Sequence, residues 1–400
     1  MESLFHFDFP KSLNICFVRF LEGFTSIKMK NDTRTWLIVV TVAIVALAIG
    51  YAVGGGITGQ SVAVTFDSEI DGGIIKLGWM GPLTGDAASY GLSIKKGVDL
   101  ALKDSGLKNV KIIYEDSVCE GKEAVSAITK LINIDGVIAV IGEVCSGATL
   151  AAAPIAEENG IVMISSSSTS PDITNAGDYI FRTIPTDALQ GKFAADVMFS
   201  EGNERLAILY GNEDYGVGFN SVLVREFRGT SISSEAFERG SVDVRAQLTK
   251  IKEGEPDAIF IISNSPDSAV AALRQIRELG IKAKIYGSEG LKSKDILEAG
   301  AAAEGLKVTV PTSPTQEFID AHIQEYGEEP GPFAAQAYDA FNSLAMAIKQ
   351  GATTSDEIKD FLYDLEFEGV SGNINFDSDG DVFGNYEVFV VENGKWVKAE

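Results

Sequence analysis

From Ile74 onward, short apolar runs alternate with longer amphipathic stretches, and few folds accept that order. Strands are expected at 74–79, 110–116, 136–142 and 160–165, with helices at 89–104, 120–132 and 146–158 between or after them. Near Arg182 the alternation restarts. It gives helices at 189–200, 216–228, 244–252 and 267–279, and strands at 205–211, 233–238, 257–262 and 283–287. Short apolar strands joined by helices require parallel pairing, because each helix carries the chain back to the start of the next strand. The fold class is therefore α/β, with two similar lobes, each a parallel sheet covered by helices. The tail departs from this rhythm, with helices at 315–326, 332–350 and 355–364 and a polar hairpin region at 372–397. A helical block after both sheets suggests that the chain crosses back to the first lobe.

Residues 36–53 run for eighteen positions without a charge. As a helix they span about 27 Å, close to the hydrocarbon thickness of a bilayer. Lys28, Lys30 and Arg34 precede the run, and Lys76 is the next basic residue after it. That asymmetry keeps the N-terminus in the cytoplasm and exports the rest, with 36–53 either a retained single-pass anchor or a cleaved signal. The expected layout is a cytoplasmic N-terminus at 1–34, a membrane segment at 35–54 and a flexible tether at 55–73. Residues 1–28 show little period, and Met29, directly before the charged flank, reads as the better start.

The chain carries 33 basic and 57 acidic residues, a formal net charge of −24. The first sixty residues are nearly balanced, so the acidity belongs to the exported part, and a surface so negative repels nucleic acid. With only two histidines, His6 and His322, Ser-His-Asp catalysis and His-rich metal sites are disfavoured. No GxxxxGK[ST], GxSxG or HExxH string occurs. Asp377, Asp379 and Asp381 suggest a calcium loop, but Val382 stands where its glycine belongs and Val388 where its bidentate glutamate belongs, which leaves a hairpin turn. No catalytic residue, metal or cofactor is expected.

Ligands of open parallel sheets bind beyond the strands' C-terminal ends, near helix N-termini. After the first strand comes GPLTGDAASYG with Tyr90; after the third comes EVCSG with Ser146; after the fourth, SSSTSP with Ser167 and Thr169. In the second lobe the corresponding positions hold Tyr215, Asn264 and Glu289. Singly, the hydroxyls read as helix caps, the tyrosines as loop aromatics and Glu289 as a solvated charge. Together, hydroxyls and helix-start amides in one lobe suit a carboxylate, while a glutamate and an aromatic in the other suit an ammonium. A zwitterion held between the lobes follows. Cys119 and Cys145 each follow a neighbouring strand, and export favours a disulfide between them over two free thiols. Its loop of about 26 residues contributes roughly 3–4 kcal/mol in the chain-entropy model.

Across 74–397 the ordered motifs IKLGWMGPLTGDAASYG, VIGEVCSG, GIVMISSSSTSPDIT, FRTIPTDALQG, NEDYGVGF, IYGSEGL and GPFAAQAYDA resemble the leucine/isoleucine/valine-binding proteins of ABC transporters, within the type I periplasmic-binding fold. The resemblance implies a bridge between Cys119 and Cys145. It implies an α-carboxylate site at Ser146, Ser167 and Thr169, an ammonium partner at Glu289, and a side-chain pocket lined by Tyr90, Tyr215 and Phe333. It also implies three crossovers, near Asp187, Pro311 and Ser371, so that lobe 1 comprises 74–187 plus 312–370 and lobe 2 comprises 188–311 plus 371–400. One departure stands out. Where close members place a further tyrosine this chain reads SNSP, offering Asn264 or Ser265 and a more polar wall. The expected protein is a monomeric, membrane-tethered, extracytoplasmic binding protein for a free amino acid, branched-chain or otherwise apolar, serving an ABC permease. A sensor ectodomain and a binder of short amides are the alternatives.

Overall fold

The computed structural model describes residues 73–399. The expected membrane segment at 36–53, the start at Met29 and nearly all of the tether lie outside the described residues. Among the described residues no helix is long and apolar enough to cross a membrane.

In chain order the first series is β1 (Ile75–Gly81), α1 (Ala88–Ser105), β2 (Val110–Asp116), α2 (Gly121–Lys130), β3 (Ala139–Ile141), α3 (Ser146–Glu158), β4 (Val162–Ser165) and β5 (Ile180–Arg182). The second is α4 (Asp187–Ser200), β6 (Arg205–Gly211), α5 (Asp214–Glu226), β7 (Thr230–Phe237), α6 (Arg245–Glu253), β8 (Ala258–Ile262), α7 (Pro266–Glu278), β9 (Lys284–Gly287) and β10 (Lys307–Pro311). The tail adds α8 (Gln316–Tyr326), α9 (Ala334–Lys349), α10 (Ser355–Tyr363), β11 (Glu366–Glu368), β12 (Asn373–Asn375), β13 (Tyr386–Glu392) and β14 (Lys395–Lys398).

Two large sheets result. The first has the order β2-β1-β3-β4-β5 and is parallel throughout. The second has the order β14-β13-β10-β9-β8-β6-β7, parallel from β10 to β7, with the β13–β14 hairpin added antiparallel at its edge. Covering both faces favours apolar residues on both sides of the central strands, and β4 and β8 are buried from end to end. Alternation then divides the second sheet's core. Leu209, Ile259 and Ile261 pack on one face, while Ile208, Phe260 and Ile262 pack on the other.

Several details differ from the expected elements. The run 136–142 contributes only Ala139–Ile141, because a π-helical turn at Leu131–Asp135 extends α2 toward it. Strands β5 and β10 were not expected; β5 is only three residues long, and β10 reads KVTVP, where lysine, threonine and proline dilute the apolar signal. The tail packs on the first sheet: Phe341, Leu344 and Ile348 of α9 and Ile358 and Leu362 of α10 enter the same core as Leu77 and Trp79.

The DSDGD segment is a turn. Asp377 Oδ1 accepts the amides of Asp379 and Asp381, and Phe376 bridges Val382. Asp381 turns inward to form a two-pronged ion pair with Arg182 at the end of β5, Nε to Oδ1 at 2.5 Å and Nη2 to Oδ2 at 2.7 Å. Arg182 also donates to the Ser170 carbonyl at 2.8 Å, and its side chain is fully buried. Removing one partner of such a pair strands the other charge in the core. We therefore expect Asp381→Asn to lower stability by about 3–5 kcal/mol in equilibrium denaturation. A loss below about 1 kcal/mol would show that water replaces the carboxylate.

Candidate ligand-binding site

In the first sheet the chain leaves β1 for β2 on one side and arrives at β3 on the other; in the second, β7 and β8 flank β6 in the same way. Such switch points open a crevice at the strands' C-terminal ends. The segments following β1 and β3 carry Tyr90 and Ser146, and those following β6 and β8 carry Tyr215 and Asn264. The two crevices face each other across one small cavity of about 30 Å³, lined by Tyr90, Val144, Cys145, Ser146, Ser167, Tyr215, Ser263, Asn264, Glu289, Gly290 and Phe333.

One wall is rich in hydrogen-bond donors. Helix α3 begins at Ser146, and its N-cap residue Cys145 supplies no side-chain acceptor. The first-turn amides are thus left for a ligand, with the helix dipole behind them. Ser146 Oγ accepts the Ser170 amide at 3.2 Å and keeps its proton to donate. Ser167 Oγ donates to the Val144 carbonyl at 2.8 Å. The loop carrying these groups is fixed by Ser165 and Ser168, whose hydroxyls both donate to the Glu143 carbonyl. The bonded pair Cys119–Cys145, with Cα atoms 5.5 Å apart, ties the loop to the segment after β2.

The opposite wall is acidic. Glu289 begins the 3-10 turn after β9 and is 5% exposed. Its Oε1 accepts from Tyr215 Oη at 2.9 Å and its Oε2 from Gln190 Nε2 at 2.9 Å. Gln190 also donates to the Thr309 carbonyl, which ties Glu289 to β10. Behind Glu289 lies Asp187, wholly buried, with neither oxygen hydrogen-bonded among the described residues. Burial pushes the Glu289 carboxyl up to about 7. It also raises Asp187 well above the usual carboxylate range, with the Glu289 charge adding to the effect and the nearby Thr169 hydroxyl opposing it. Arg182 contributes the opposing positive charge to Asp187 but is already paired with Asp381.

Aromatics close the remaining sides. Tyr90 Oη reaches across the cleft to the Gly290 carbonyl at 3.1 Å. Phe333 stands edge-on to Tyr90, ring centroids 5.8 Å apart. Its backbone is held at φ 65°, a left-handed conformation that a bulky side chain rarely adopts and that is typical of ligand sites. At the rim Arg239, beyond β7, donates to the Cys119 carbonyl at 2.8 Å and pairs with Glu120. On another side Lys96 of α1 and Lys294 of the loop after β9 share Glu328.

The structure thus brings Tyr90, Ser146, Ser167, Tyr215, Asn264, Glu289 and Phe333 to one cavity. Thr169 is not among the lining residues. It lies fully buried, its Oγ1 unpartnered and its carbonyl holding the Asp187 amide at 2.8 Å. The choice between Asn264 and Ser265 is resolved: Ser265 Oγ caps α7 by accepting the Ser268 amide, and Asn264 lines the cavity. Asp187 and Gln190 were missed. Their signal was present in α4, where they share the buried stripe of Gly191, Ala194, Ala195 and Met198, an apolar face on which two polar side chains stand out.

Two helix-covered parallel sheets enclosing one small polar cavity at their strand ends have the architecture of a solute-binding protein. Residues 74–395 match the family described as periplasmic binding protein. The chain is 32% identical over 337 residues to a leucine-, isoleucine-, valine-, threonine- and alanine-binding protein of Pseudomonas aeruginosa, covering 80% of this chain and 89% of that one. It superposes on the leucine-binding protein LivK of Thermotoga maritima with TM-score 0.77 at 29% identity, covering 82% and 98% of the two chains. It also superposes on the branched-chain amino-acid transporter substrate-binding protein LivJ of Streptococcus pneumoniae, solved with isoleucine, with TM-score 0.75 at 31% identity, covering 82% and 100%. This chain belongs to the periplasmic binding protein family and has the type I fold.

The raised carboxyl sets the pH dependence of the site. Burial holds the Glu289 carboxyl above the usual carboxylate range, so a ligand ammonium paired with it would bind more tightly as pH rises and the carboxyl ionises, and the gain would level off once ionisation is complete. Calorimetric titration with a free amino acid should show about a tenfold loss of affinity from roughly pH 8 to roughly pH 6. A flat profile over that range would place the ammonium away from Glu289.

Proposed function

We propose that this protein binds a free α-amino acid between its lobes and delivers it to the permease of an ABC importer. The observation that carries this reading is the polarity of one enclosed cavity, with uncapped helix amides and serine hydroxyls on one wall and a buried glutamate on the other. The ligand's carboxylate sits at the start of α3, held by the Ser146 hydroxyl and the first-turn amides. Ser167 lies beside it, and Thr169 supports the same wall from behind. The ammonium pairs with Glu289, while Tyr90, Tyr215 and Phe333 enclose the side chain.

Lobe 1 comprises 74–187 and 312–370, and lobe 2 comprises 188–311 and 371–400. They open and close about the crossings near Asp187, Pro311 and Ser371. Closure engages contacts that exist only when the lobes meet, namely Tyr90 with Gly290, Arg239 with Cys119 and Glu120, and Lys294 with Glu328. The closed form presents both lobes to the permease. The apolar run 36–53 holds the monomeric protein at the extracytoplasmic face of the membrane. Branched-chain ligands named for the relatives support the amino-acid class.

Calorimetry with branched-chain and hydroxy amino acids, their amides and their des-amino analogues tests this reading. Binding should require both charged groups, and removing either should weaken it by at least about thirtyfold, because a desolvated partner is left unpaired. Equal affinity for amides or simple carboxylates would contradict it.

A further inference from the structure

The cavity's polar side chains are nearly all committed. Tyr215 serves Glu289, Tyr90 serves the Gly290 carbonyl, and Ser167 serves the Val144 carbonyl. Ser263 Oγ donates to the Ser265 carbonyl at 2.9 Å and accepts the Ser265 amide at 3.1 Å, so it too is spent. With Ser146 given to the carboxylate and Glu289 to the ammonium, the other hydroxyls can still only accept, and Asn264 is the lining side chain with donors as well as an acceptor free of protein partners among the described residues. Its side-chain amide has no hydrogen-bond partner among the described residues, and it stands where β8 ends. There it forms part of the wall between the small cavity and a larger polar one of about 450 Å³ at the cleft mouth.

An amide offers an acceptor and two donors, and a hydroxyl can satisfy both kinds at once. An apolar side chain satisfies neither and leaves the amide to water on the side of the larger cavity. The rest of the wall, made of the Tyr90 and Phe333 rings and Val144, suits a methyl group. The cavity is small, so the group that reaches Asn264 is short.

We propose that Asn264 reads a hydroxyl on the ligand's side chain, so that the site selects small hydroxy amino acids, threonine first, over their apolar isosteres. This rests on the amino-acid reading above and goes further by naming the side-chain chemistry.

Threonine and valine have nearly the same shape and differ in the one group at issue, which makes their affinity ratio the test. In the wild-type protein we expect threonine to bind about threefold to tenfold more tightly than valine, the range of one net hydrogen bond, and serine similarly more tightly than alanine. In Asn264→Ala the threonine-to-valine ratio should fall to about one, with a melting transition to check that the variant folds. Wild-type valine binding as well as threonine, or better, overturns the proposal, as does a threonine preference that survives in Asn264→Ala. Absence of binding by all four amino acids would instead overturn the amino-acid reading on which it rests.

Discussion

Two carboxylates, Glu289 and Asp187, are buried at the meeting of the lobes with no ion-pair partner among the described residues, and much of the site's arrangement follows from that. Glu289 has hydrogen bonds from Tyr215 and Gln190, yet neither brings a positive charge. Asp187 has no side-chain hydrogen bond among the described residues, and Arg182, which opposes its charge, is held by Asp381. Burying such a group is costly unless it is neutralised, by a proton or by a cation. In the proposed function a ligand ammonium would supply that cation and favour the closed state in which it is enclosed. The opposite wall is complementary, since the N-cap of α3 supplies no side-chain acceptor and its first-turn amides would suit a carboxylate.

The scaffold explains why these groups meet. Parallel sheets place every βα turn at one edge, and a change in strand order opens a crevice there. Both sheets of this chain have such a crevice, and the two face each other. Short segments then hold the first wall in place through buried hydroxyls and the Cys119–Cys145 bridge. Gln190 ties Glu289 to β10 in the second. Contacts at the rim, from Arg239 and Lys294, add reversible charge pairing to closure without burying it deeply.

The sequence made the alternation legible, and with it the residues after each strand, because apolar period and strand-end position are local properties. Tyr90, Ser146, Tyr215 and Glu289 could be listed together on that ground alone. Asp187 and Gln190 were harder to see. An acidic residue in a helix's first turn is ordinary, since it complements the dipole, and Asp187 follows the N-cap Thr186 in just that way. Their role depends on what α4 packs against, which is a tertiary property. Thr169 shows the converse. Its position after β4 matches that of Ser167, but packing against the crossover at Thr186–Asp187 turns it behind the cavity wall. Strand β10 escaped notice because its apolar positions are diluted, yet it is this strand that receives the hairpin of the tail.

The central claim is that the ligand's ammonium is the missing partner of Glu289, and the affinity of Glu289→Gln for a free amino acid measures it most directly. Glutamine keeps the size and can still accept from Tyr215 or Gln190 while removing the charge. The account predicts a loss of about 2–5 kcal/mol, roughly thirtyfold to several thousandfold in affinity, because the ammonium would be desolvated without a counter-charge. An affinity within about threefold of the wild-type value, well under 1 kcal/mol, would contradict it.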